Sequence, residues 1–159
     1  LLTTGLPAGR AQPPSVLPED PGSTISARLR EVHGVAGPWA LLGFRAGEAA
    51  MTALGAQPRT RALQIVHRAP ARPEFSCMVD GVAAATGNSL GQLNLKLDTV
   101  ESTAALETVA WRRDDGSSST VHIRLRPEVF QRYHNMPMTP EAFTAANREI
   151  EALPEDQLF

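Results

Sequence analysis

Two alternating segments, Leu106 to Arg113 and Thr120 to Arg126, flank the run Asp114-Asp115-Gly116-Ser117. That turn composition joins antiparallel strands, because glycine enters the positive-φ turn positions without steric cost. Pro127 stops the second strand, since it cannot donate to a ladder. Two further strands follow from pattern. Leu63-Gln64-Ile65-Val66-His67 is short and β-branched, and Leu93, Leu95 and Leu97 alternate with Asn94 and Lys96 to give one dry face.

Helices are expected between and around them. Ser23 or Thr24 caps a short helix through Val32, with Ile25, Leu29 and Val32 on its apolar stripe and Gly34 as its stop. Pro38 in a first turn and Gly55 past a C-terminus frame a central helix whose small residues Gly43, Ala46, Gly47 and Ala50 admit a close neighbour. Arg45 and Glu48 are spaced to pair on its flank. Pro70 and Pro73 read as a loop, after which Ser76 caps a helix from Cys77 to Thr86 with Gly87 and Asn88 as its stop. A short helix from Pro127 to His134 and a longer one from Pro140 to Leu153, capped by Thr139 and burying Phe143, Ala146 and Ile150, close the chain. The resulting order, αα-β-α-β-ββ-αα, lacks the regular alternation of a doubly wound sheet. The expected class is α+β, a mainly antiparallel sheet packed with helices in a single domain.

At 159 residues, 42% hydrophobic and 20% charged, the chain has ordinary globular composition and needs no disulfide framework to fold. Fifteen Lys and Arg against seventeen Asp and Glu leave no electrostatic footprint for nucleic acid. The longest mostly apolar stretch, Trp39 to Leu54, is interrupted by Arg45 and Glu48, so no membrane span is expected. The first 22 residues carry Pro7, Pro13, Pro14, Pro18 and Pro21 and read as an extended arm. Residues 23–135 then form the core, and 136–159 a C-terminal helix and tail. A first residue other than Met, followed by a Pro-rich segment, favours an exported, periplasmic chain over a cytoplasmic one.

The four histidines, His33, His67, His122 and His134, form neither His-x-x-x-His nor His-Glu-x-x-His, so the short zinc signatures are absent. His67 and His122 fall on strands as satisfied or solvent-facing residues, and His134 suits a helix C-terminus. His33 stands out, because Gly34, Gly37 and Pro38 place it in a loop at a helix N-terminus, where backbone amides collect. Cys77 and Asp80 share one helix face. A cysteine at a helix start has its thiolate favoured by the dipole, although a small buried hydrophobe is the commoner role. With Cys77 as the lone cysteine, an intrachain disulfide and a cysteine-only zinc cage are excluded. Gly87-Asn88-Ser89-Leu90-Gly91 lacks the lysine of a phosphate cradle, and no nucleophile elbow occurs.

Taken in order, three segments resemble the core domain of the formylmethanofuran dehydrogenase E-subunit family. The first is His33-Gly34-Val35-Ala36-Gly37-Pro38-Trp39, similar to the family's His-Gly-His-x-Cys-Pro-Gly at the opening of a helix, followed by Leu42-Gly43-Phe44-Arg45-Ala46-Gly47-Glu48. The second is Cys77-Met78-Val79-Asp80-Gly81-Val82, similar to Cys-x-Val-Asp-Ala-Ile. It runs into Thr86-Gly87-Asn88-Ser89-Leu90-Gly91-Gln92-Leu93-Asn94, similar to Thr-Gly-Cys-Thr-Leu-Gly-Lys-Gly-Asn. The third is the hairpin ending in Leu125-Arg126-Pro127-Glu128. The resemblance spans about His33 to Pro127. It departs where chemistry would sit: Val35 replaces the second His, Gly37 the loop Cys, Asn88 the helix-end Cys and Gln92 the Lys. Gly34, Pro38, Gly87 and Gly91, which shape the backbone, are kept.

The resemblance therefore implies a family fold with an emptied metal site. His33 and Cys77 are the remaining candidate metal ligands, and His33, Gly37, Cys77, Asp80 and Asn88 the candidate cofactor-binding residues. The expected function is non-catalytic: an accessory or structural subunit of a larger redox or one-carbon complex, with a homodimer also implied by the resemblance. No cofactor is the leading expectation. The alternative is a small-molecule, haem or metal-binding protein using the cleft around His33 and Cys77, with residual zinc, another divalent metal or haem as ligand.

Overall fold

The computed structural model describes residues 24–113 and 119–159. The Pro-rich arm and the Asp114 to Ser117 turn lie outside the described residues. Helix α1 (Thr24–His33) ends where expected, at Gly34 with φ +84°. Helix α2 (Pro38–Leu54) is framed by the two residues that announced it: Pro38 fills the first turn and Gly55 reverses the chain at φ 57°. The Arg45–Glu48 pair forms on its flank, N to O 3.3 Å.

Strand β1 (Leu63–Ala69) leads into α3 (Pro73–Thr86), which differs from expectation at its start. Pro73 does not prolong the loop. It opens the helix, because a first-turn residue needs no N–H and the proline φ is already helical. Ser76 therefore lies inside α3, and Arg72 is its N-cap without a side-chain cap bond. Strand β2 (Leu95–Thr99) begins two residues later than its alternation indicates, because Leu93 takes φ +55° and turns the chain instead. A one-turn 3-10 helix, Thr103–Ala105, precedes the hairpin strands β3 (Glu107–Arg112) and β4 (Thr120–Ile123), which pair antiparallel as expected. Helices α4 (Pro127–His134), α5 (Pro140–Ala152) and a terminal turn α6 (Glu155–Leu158) complete the chain. Thr139 caps α5 through Oγ1, accepting from the Ala142 N–H at 3.2 Å. Ala146 and Ile150 are buried, whereas Phe143 is half-buried.

The sheet order is β2-β1-β3-β4. β1 pairs antiparallel with β3 but parallel with β2, the crossover being α3, so the sheet is mixed and mostly antiparallel within an α+β domain. Helices α2 and α3 pack on one sheet face, burying Leu63, Ile65, Leu95, Ala110 and Ile123 against Ala46, Ala50 and Val82. A second core lies on the far side of the helices, where Leu29, Leu41, Phe75, Tyr133, Ile150 and Leu158 meet. Each such large apolar side chain contributes about 1.5–3 kcal/mol by leaving water. Arg45 ties the C-terminal helix to this arrangement: its guanidinium donates to the carbonyls of Ile150 (2.7 Å), Glu151 (3.3 Å) and Leu153 (3.0 Å), the unpaired end of α5. Among the described residues, no helix is long and apolar enough to cross a membrane.

Candidate functional site

The small residues of α2 decide where the candidate side chains go. A Cβ on Gly43 would stand 2.0 Å from the Met78 carbonyl oxygen, and one on Gly81 would stand 1.8 Å from that of Ala40. α2 and α3 therefore touch backbone to backbone, and the middle of α3 is carried beside the α1–α2 junction. There His33, the last residue of α1, meets Asp80. Its Nδ1–H donates to Oδ2 at 2.8 Å, with the imidazole mostly shielded and the carboxylate partly open to water. Gly37 stands at the N-cap of α2 in an extended conformation, its carbonyl accepting from the Leu41 N–H at 2.9 Å. Asn147 of α5 holds the same loop by donating to the Ala36 carbonyl at 2.6 Å.

Cys77 lies three residues before Asp80 on α3 and is half-buried, as the one-face spacing indicates. Its electrostatics correct the expectation of a helix-start thiolate. With α3 beginning at Pro73, Cys77 is beyond the first turn, where the dipole fades. Burial pushes the thiol above its ordinary range, and the nearby negative charge of Asp80 pushes it further. The group is a neutral thiol at pH 7 and, like Trp39, packs against the edge of the core. Trp39 meets Phe75 edge-on at 5.0 Å, and Phe75 stacks on Phe130 at 5.8 Å, so an aromatic wall backs this end of α3.

The candidate residues are thus only partly brought together. His33, Asp80 and Cys77 share the α1–α3 contact, and Gly37 opens the adjoining helix. Asn88 does not join them. It follows the opposite end of α3, eight residues past Asp80, about 12 Å along a helix. There its amide donates at 2.9 Å both to the Leu63 carbonyl and to that of Asn94, pinning β1 to the turn before β2. Asn88 is buried and acts as a structural peg. Val35, in the resemblance's second histidine position, is 43% exposed and offers no donor.

The metal ion implied by the family does not fit these residues. Among the described residues no three His, Cys, Asp or Glu side chains are grouped to hold one. His33, with Nδ1 bonded to Asp80, offers a single nitrogen, and the thiol beside it, made less acidic, binds a metal only by losing its proton at added cost.

Sequence reading passed over two polar groups in the sheet. His67 is fully buried, hydrogen-bonded through Nδ1 to Thr108 Oγ1 at 2.9 Å, with Nε2 buried and without a hydrogen-bond partner. Burial lowers its pKa from 6.5 to about 4, so it is neutral at pH 7, with the Phe75 carbonyl opposing that shift. Glu107 is buried too. Burial works to raise its pKa, but hydrogen bonds from His122 and Arg68 and the charge of Arg124 outweigh it, and its pKa falls below the usual carboxylate value. The pairing of β3 with β1 and β4 brings Arg68, His122 and Arg124 around Glu107, a signal available once that pairing is known.

The family model described as "FmdE, Molybdenum formylmethanofuran dehydrogenase operon" matches residues 32–159, from the end of α1 through the C-terminal helices. No curated protein matches the chain. With the glycine-packed α2–α3 pair, the α3 crossover and the hairpin all inside the matched region, the chain belongs to the FmdE family.

Proposed function

We propose that this chain is an FmdE-family protein whose metal site has degenerated, and that it acts without catalysis of its own as a dimeric module or accessory subunit of a larger redox or one-carbon complex. One observation carries the reading: the backbone of the site is retained while its donors are spent. Gly34 and Gly87 hold left-handed turns, Pro38 opens α2, and Gly43 and Gly81 keep the helices in contact. Val35 and Gly37 supply no ligand and Cys77 is a neutral thiol, which leaves His33 as a single nitrogen donor, too few to hold a metal. The test is calorimetric titration of zinc and of nickel into the purified chain. No stoichiometric heat is expected, and His33→Ala and Cys77→Ser should behave as the parent. One equivalent bound by the parent and lost in both variants would contradict the proposal.

A second reading has its own support. A histidine whose Nδ1–H is held by a carboxylate keeps Nε2 as a lone pair, the state in which imidazole binds a metal or a haem iron. On this reading His33 is an oriented ligand and Cys77 a wall of a small-molecule site. Haem added to the chain would then give a shifted Soret band that His33→Ala removes.

A further inference from the structure

Among the described residues, the non-glycine positions in the left-handed backbone region are Arg59 at φ +64° and Leu93 at φ +55°. They lie in two neighbouring loops, residues 55–62 between α2 and β1 and residues 87–94 between α3 and β2. The Arg59 N–H donates to the Thr86 carbonyl at 2.6 Å, and the Asn88 amide ties Leu63 to Asn94, so the two loops form one end of the domain. In the second loop a turn closes from the Leu93 N–H to the Leu90 carbonyl at 3.0 Å, and both leucines face water, 84% and 63% exposed respectively. A left-handed leucine costs folding energy, and an exposed one recovers little of it inside the chain. A benefit that offsets this cost lies outside the chain.

What meets this end follows from its shape and charge. Residues 55–62 and 87–94 contain Arg59 and Arg61, both exposed, and no acidic residue, in a chain whose net charge is −2. Neither arginine has a carboxylate partner among the described residues. Glu48 and Glu155 border Gly55 to Pro58 from α2 and α6, and Glu48 is already paired with Arg45. Two aliphatic side chains on an exposed turn fall far short of the ~1,200–2,000 Å² that a specific protein interface buries, and leucine is under-represented among the side chains that anchor one. They match a surface that yields: lipid acyl chains take up leucine beneath a headgroup layer whose negative charge holds arginine.

We propose that this end of the domain docks on an anionic lipid bilayer, with Leu90 and Leu93 entering the headgroup boundary while Arg59 and Arg61 meet lipid phosphates. The contact lies on the membrane without crossing it, and it does not depend on the His33–Asp80 site, which adjoins the other half of α3. Co-sedimentation of the full chain with vesicles of phosphatidylcholine mixed with phosphatidylserine should show binding, weaker by at least about fivefold on phosphatidylcholine alone and weakened again as salt is raised. Leu93→Gly should reduce binding to the mixed vesicles about tenfold while its melting temperature does not fall, which separates a lost anchor from a damaged fold. Leu90→Ser should reduce it to a similar extent, and Arg61→Gln about fivefold. Met138 is 80% exposed beyond α4, whose His134 meets Glu74 at the opposite end of α3, and Met138→Ser should bind as the parent does. A parent chain that ignores the mixed vesicles would overturn the proposal; self-association, or retention on polyglutamate, that is lost in Leu93→Gly and Arg61→Gln would then assign the two loops to a second copy or to an acidic protein. Binding of parent strength in both leucine variants would overturn it as well, as would an equal loss in Met138→Ser.

Discussion

His33 Nδ1 and Asp80 Oδ2 stand 2.8 Å apart, so the end of α1 is fastened to the middle of α3 by the two side chains best placed to do chemistry. Asp80 also raises the thiol of Cys77. Removing its charge should therefore have two separable effects. Asp80→Asn is expected to cost about 0.5–1 kcal/mol of stability, the ordinary worth of a partly exposed pair. It should also make Cys77 react faster with a disulfide reagent at pH 8, because less work is needed to form the thiolate. Thiol kinetics against the parent check this, and an unchanged or slower rate would show that Asp80 does not act on Cys77.

The contact of α2 with α3 predicts a sharp contrast among glycines. Gly43→Ala and Gly81→Ala drive a methyl into a backbone carbonyl and should each lose about 3 kcal/mol or fail to fold, whereas Gly91→Ala meets nothing within 4 Å and should be near neutral. Urea denaturation of the three variants measures it.

Burial of neutral His67 fixes a pH dependence. Its pKa is about 4 in the fold and 6.5 when released, so between those values the unfolded chain binds a proton that the folded chain refuses. Stability contributed by this group is unchanged above pH 6.5 and declines as pH falls toward 4, by about 1.4 kcal/mol per unit and about 3 kcal/mol in all. Glu107, whose pKa is lowered, adds its loss at more acid pH, as pH falls through its folded value. His67→Gln should be less stable at pH 7 yet lose less stability than the parent between pH 6.5 and 4. Equal slopes would contradict the assignment.

Leu93 carries a backbone conformation that costs a branched residue about 1–2 kcal/mol, and at 84% exposure its side chain returns little. Leu93→Gly relieves that cost but gives the unfolded chain more freedom, for a net gain of about 0.5 kcal/mol. A lower melting temperature would mean that the leucine has a contact which matters in the folded protein.

What was legible in the sequence follows from what is local. Pro38 and Gly55 bracket α2 because helix ends have their own chemistry, and Thr139 with Pro140 does the same for α5. The shared face of Cys77 and Asp80 follows from helical spacing. Pro73 misled because a proline reads equally as a breaker and as a first-turn residue, and only the packing of α3 decides. That β2 runs parallel beside β1 is likewise hidden, and the alternation of Leu93, Leu95 and Leu97 does not mark a dry face: only Leu95 is buried, because β2 is an edge strand and Leu93 lies in the turn before it. The His33–Asp80 bond depends on Gly43 lying against Met78 and Gly81 against Ala40, thirty-five and forty-one positions apart, a tertiary event that no window of residues contains. Asn88 resembled a lost ligand by position, while its role as a peg depends on carbonyls of Leu63 and Asn94.

The most direct measurement is elemental analysis and a visible absorption spectrum on the protein purified from its native source, with co-purifying proteins identified in the same sample. A metal-free, colourless chain that travels with larger redox proteins is the expected result, and it would direct attention to the fold's surfaces. One equivalent of metal or a chromophore, lost when His33 and Cys77 are replaced, would show that the old site still works and that the chain is not an accessory module alone.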